Sequence, residues 1–153
     1  MSLRSIIDLL RKAPFFEGFA EDQLRLVAFS AETLVLPPGE VLCEEAGPLK
    51  AAYLVASGNM EGRRGSGEAL LARPLKPGTL VGEMALLVPA RAHETVVATG
   101  EAQVVEIRRQ TIARLLDEYP EFAQIIRTRI ARRMLAASAE FKRISDRLGR
   151  VEA

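Results

Sequence analysis

Apolar residues recur at helical spacing twice within the first thirty positions. Leu3, Ile6, Ile7 and Leu10 share one helical face and Pro14 closes the run, which predicts a short first helix. Leu24, Val27 and Ala28 repeat the pattern over Glu21 to Phe29, and Phe15, Phe16 and Phe19 stand between the two helices as apolar anchors. At Thr33 the texture changes to short apolar runs: Thr33 to Leu36, Val41-Leu42, Ala51 to Val55, Ala69 to Ala72 and Leu80-Val81. Pro37-Pro38-Gly39, Gly47-Pro48, Ser57-Gly58-Asn59, Arg64-Gly65-Ser66-Gly67 and Pro77-Gly78 separate them as turn residues. Two more strands are expected at Glu94 to Thr99 and Ala102 to Ile107. Many short strands at this spacing predict a sandwich, jelly roll or barrel.

After Arg109 the helical period returns through Ile112, Leu115 and Leu116, and Pro120 suits the first position of a longer helix. Ile130, Met134, Ala137, Phe141, Ile144, Leu148 and Val151 follow at alternating steps of four and three, a heptad seam. A dimerisation helix over 120–151, and so a homodimer, is expected; a helix folded back on its own β-domain is the other reading. The chain thus divides into helices at 1–30, a β-region at 31–108 and helices at 109–153. From Pro120 onward eight basic side chains face four acidic ones, the composition of solvated helix flanks. No aromatic or recognition-helix pattern accompanies that charge, and DNA is not expected as a partner.

Composition narrows the class. Apolar residues make up 48% and charged residues 27% of 153, so a real core can form. With 21 basic and 20 acidic side chains no global field points to nucleic acid or an anionic membrane. Cys43 is the single cysteine and His93 the single histidine, which leaves no disulfide framework and no Cys/His zinc site. Asp8 and Arg11-Lys12 break the apolar N-terminus, so neither a signal peptide nor a membrane span is read there, and a cytoplasmic protein is expected. No nucleophile, base and orienting group can be assembled, so an enzyme is not expected.

The chemistry concentrates in 78–98. Gly82 lets backbone approach a ligand closely, and Met84 to Val88 can make a helical turn whose first N–H groups face an anion. Glu83 can accept a hydroxyl hydrogen bond, and Arg91 can supply a charge-assisted bond to a phosphate. This segment, together with Pro38-Gly39-Glu40, Tyr53-Leu54-Val55, Ser57-Gly58, Pro77-Gly78 and the helix after Arg109 in that order, resembles the cyclic-nucleotide-binding domain family. The resemblance implies an α+β fold, a β-roll or jelly roll flanked by N-terminal helices and a long C-terminal helix, with a phosphate-binding cassette at 78–98. It implies a cyclic nucleotide as ligand, no metal, and contacts from Gly82, Glu83, Met84, Ala85, Arg91, Ala92 and Thr95. The family's matching Glu takes the ribose 2′-hydroxyl, its Thr or Ser at the position of Thr95 faces the pocket, and Ala92 favours cAMP over cGMP. Closure of the cassette would reposition the C-terminal helix, with Ile130, Met134 and Phe141 transmitting the change.

The spacing departs from the family at one point. Glu83 to Arg91 is eight positions and Arg91 to Thr95 four, where the family usually has nine and three. In a loop a long Arg side chain reaches back across one residue; in a strand the neighbouring position faces the other way. Two functions therefore stay open: a cyclic-nucleotide sensor, or a ligand-free scaffold that binds an unknown protein partner. His93 reads as an exposed loop residue and Cys43 as a small buried one. With Thr95 facing inward, strand alternation sends Glu94 outward.

Overall fold

Ser2 opens helix α1 (Leu3–Leu10), its hydroxyl oxygen accepting a hydrogen bond from Ser5 N at 3.1 Å. A 3-10 turn at Pro14–Phe16 leads to helix α2 (Glu21–Ser30), where Gln23 Oε1 accepts from Ala20 N at 2.8 Å. Phe15, Phe16 and Phe19 are buried between the helices with edge-on ring contacts, Phe16 to Phe19 at 5.4 Å. The computed structural model describes residues 1–129 and 131–132, which fall into one unit over Met1–Leu115 and a second that begins at Leu116. The heptad positions Ile130, Met134, Ala137, Phe141, Ile144, Leu148 and Val151 lie outside the described residues.

The strands are β1 (Glu32–Leu36), β2 (Val41–Cys43), β3 (Pro48–Leu49), β4 (Ala51–Arg64), β5 (Leu71–Leu75), β6 (Leu80–Val81), β7 (Ala90–Arg91) and β8 (Thr95–Arg108). All pairings are antiparallel: β1, β8, β4 and β5 follow one another, β2 joins β8, β6 joins β4, and β3 pairs β7 separately. This is the expected β-roll flanked by helices. The long members differ from expectation, for β8 is one continuous strand where two were read, and β4 runs on to Arg64. Gly100 and Glu101, which lie between the two expected strands, keep strand backbone, so β8 runs through them.

The inner face of the roll carries Leu36, Val55, Met60, Leu75, Val96, Ala98, Ala102 and Val104, all buried together. Helix α3 (Arg109–Glu118) follows β8 directly, with Ile112 and Leu115 buried. Helical backbone is also described at 120–129, where Thr128 Oγ1 donates to Gln124 O.

Candidate functional site

Gly82 is left-handed, with φ 76° and ψ 37°, and opens a 3-10 turn at Glu83–Leu86. An added Cβ would stand 2.9 Å from Leu49 Cδ1, so glycine serves both the backbone angle and the close approach. The turn is closed by a bond from Ala85 N to Gly82 O at 2.9 Å. Leu49, Ala85 and Ala92 form a buried cluster beneath, against which Cys43, Tyr53 and Ala90 pack. Glu83 and Met84 are half-buried at the head of the turn.

Arg91 lies in β7, opposite Pro48, and is exposed. Its neighbours Ala90 and Ala92 turn toward Leu49 and Ala85, so Arg91 projects from the other face of the short strand. Its Nη1 donates to Ala46 O at 2.8 Å. Ala46 N in turn donates to Ala92 O at 2.8 Å, and Ala46 is itself left-handed at φ 65°. Thr95 Oγ1 accepts a hydrogen bond from Glu45 N at 2.9 Å. The loop 44–47 thus engages Arg91, Ala92 and Thr95, and sequence reasoning had assigned that loop no role.

Glu94 requires a correction. Val96 is fully buried in the core, so alternation carries Glu94 to the inner face and Thr95 to the face of Val97. The carboxylate lies over Gly62, where an added Cβ would stand 2.5 Å from Glu94 Cδ. Arg73 of β5, opposite Gly62 in register, grips it with two donors: Nε to Oε2 at 3.2 Å and Nη2 to Oε1 at 2.5 Å. That hydrogen-bonded charge pair raises the already high Arg73 pKa. Arg64 Nε donates to His93 O at 3.0 Å beside it, and Gly65 N donates to Glu45 Oε2 at 3.0 Å. The assignment failed because strand parity was counted from the resemblance rather than from the buried Val96. A glycine inside an expected strand was the available signal of a close approach there.

Cys43 and Tyr53 pack on both the core and the cassette cluster. Burial raises the Cys43 thiol pKa, and the nearby Glu94 charge adds to it. Burial also raises Tyr53, with Glu106 and Cys43 as further causes. A concavity of about 370 Å³ runs along β4 and β5 past Asn59, Glu61, Arg73, Pro74, Lys76 and Thr99, and Gly82, Glu83 and Arg91 do not line it. At the C-terminal side, Arg109 Nε donates to Ala85 O at 2.9 Å, tying the first residue of α3 to the cassette turn. Among the described residues no group of acidic, His or Cys side chains could hold a metal ion, and no helix is long and apolar enough to cross a membrane.

Residues 33–119 match the family model described as the cyclic nucleotide-binding domain. The chain is 29% identical over 139 residues to the cyclic AMP receptor protein of Thermus thermophilus, covering 89% of this chain and 64% of that protein. It is 29% identical over 109 residues to a cAMP-dependent protein kinase regulatory subunit of Colletotrichum orbiculare, covering 71% of this chain and 28% of that protein. The chain therefore spans less than two thirds of either relative. The solved structure of a cyclic nucleotide-binding-like protein from Brucella abortus superposes with a TM-score of 0.68 at 35% identity, covering 73% of this chain and 97% of that one.

Proposed function

The chain belongs to the cyclic nucleotide-binding domain family, and from that we propose that it is a regulatory module that binds a cyclic nucleotide at the Gly82 turn without transforming it. The observation that carries the reading is the left-handed Gly82 heading the turn Glu83–Leu86 above the Leu49, Ala85 and Ala92 cluster. Amides at the start of such a turn suit a phosphate, and Glu83 beside them suits a ribose hydroxyl. Arg91 is exposed and, among the described residues, bonded to a neutral carbonyl, which a phosphate would displace because the charge-assisted bond is stronger. Ala92 offers no hydroxyl to a base, and its side chain supports cAMP ahead of cGMP.

Output through the C-terminal region is supported by the bond from Arg109 to Ala85 O, since a ligand that moves the turn changes the partner of the first residue of α3. Pairing of two chains through the heptad seam completes the proposal. The reading is tested by calorimetric titration of Arg91→Ala with cAMP: affinity falls at least tenfold while the unfolding midpoint without ligand stays that of the wild type. Unchanged affinity rejects Arg91 as the phosphate contact.

A further inference from the structure

Loop 44–47, between β2 and β3, is bonded to three residues of the candidate site. Arg91 Nη1 donates to Ala46 O at 2.8 Å, and Glu45 N donates to Thr95 Oγ1 at 2.9 Å. Main-chain bonds run both ways between the loop and Ala92, from Ala46 N to Ala92 O and from Ala92 N to Gly47 O, each at 2.8 Å. The loop also has an anchor outside the site. Glu45 Oε2 accepts from Gly65 N at 3.0 Å just after β4, and the adjacent Arg64 Nε donates to His93 O at 3.0 Å. Three segments, 44–47, 64–65 and 91–95, thus fasten on one another, and Glu45, Ala46, Arg64, Gly65 and Arg91 are all exposed, where such bonds open readily. Ala46 keeps left-handed backbone at φ 65°, which an alanine holds only where its surroundings impose it.

A ligand at the Gly82 turn affects these bonds unequally. Thr95 accepts from the loop and still has its hydroxyl proton to donate, and the bonds to Ala92 join main chain to main chain, so neither kind has to break. Arg91 is different. With Ala90 and Ala92 turned toward Leu49 and Ala85, its side chain leaves the other face of β7 for Ala46, and it has to quit that carbonyl to meet a phosphate beside the turn. We propose that loop 44–47 is an autoinhibitory clasp: the Ala46 carbonyl competes with the phosphate for Arg91, and Glu45, fastened to Gly65, is the positioning residue that keeps the carbonyl in place. The inference rests on the cyclic-nucleotide reading above and adds how the site is restrained before ligand arrives. Apparent affinity then scales with the fraction of chains whose Arg91 is released.

The test is calorimetric titration with cAMP and cGMP of the wild-type chain, Glu45→Ala, Glu45→Gln, Arg91→Ala and the double variant Glu45→Ala with Arg91→Ala. Alanine removes the acceptor of Gly65 N. Glutamine keeps an oxygen there and removes only the charge, which separates release of the clasp from relief of repulsion between Glu45 and a phosphate. Glu45→Ala is expected to bind about fivefold tighter, the worth of one such hydrogen bond, and Glu45→Gln to stay within about twofold of wild type. The double variant is expected within about twofold of Arg91→Ala, since Glu45 acts through Arg91. Equal gains in the alanine and glutamine variants assign the effect to charge and overturn the clasp, as does a gain that persists without Arg91. A wild-type chain that binds neither nucleotide overturns the cyclic-nucleotide reading and this inference together, whereas wild-type binding with no gain in Glu45→Ala overturns this inference alone.

Discussion

Gly82 shows how much of the site rests on single residues. A side chain there meets Leu49 and a left-handed backbone at once, and the conformational part alone costs about 1–2 kcal/mol. Gly82→Ala should lower stability in urea by at least that amount and weaken cyclic-nucleotide binding with it. Cys43 gives a pH dependence with a definite sign. Burial raises its pKa above the usual 9.0, so the folded chain keeps a proton that the unfolded chain gives up. The stability this provides is complete below about pH 9 and is lost as pH climbs through the folded-state value. Urea titrations from about pH 8 to pH 10.5 should find the wild type losing stability relative to Cys43→Ala; parallel curves would remove the effect. Glu94 and Thr95 teach the converse lesson, since side-chain direction near a strand end follows the buried neighbour Val96 and not a motif position.

The sheet depends on how its long strands absorb irregularity. The register between β4 and β8 shifts on both sides of Gly58, whose φ is 85° and whose added Cβ would stand 2.6 Å from Ala102 Cα. The atoms it would meet are backbone of β8, which has no side chain to move aside, so Gly58→Ala should cost about 3 kcal/mol or more in chemical denaturation. The helices and most strands were readable because their apolar periods are strong: α1 spans Leu3–Leu10 as the spacing predicts, and β1 and β6 fall where the runs stand. The two-residue β3 and β7 were not, because Pro48-Leu49 and Ala90-Arg91 carry no period at all and are defined only by each other. Arg109, invisible as a functional residue in sequence, links elements. Arg109→Met should speed amide exchange at 83–86 if its bond to Ala85 O holds the turn, and exchange at wild-type rates would deny that link.

Over the whole chain, the family and the β-roll could be read from ordered glycines, prolines and apolar runs, because turns and core faces are local chemistry. The meeting of Arg73, Gly62 and Glu94 could not, because they come from three separate strands or strand ends and meet only through register. The same holds for Arg91, whose placement in β7 depends on a pairing with Pro48 that no local pattern announces. The measurement that bears most directly on a cyclic-nucleotide-binding module is the thermal midpoint of the chain titrated separately with cAMP and cGMP. Ligand at about a hundred times its dissociation constant adds roughly 2.7 kcal/mol, which for a chain of this length raises the midpoint by about 5–10 °C. A saturable rise of that size with cAMP, and a smaller one with cGMP at equal concentration, is the expected result; a midpoint that stays fixed at millimolar concentrations of both contradicts it.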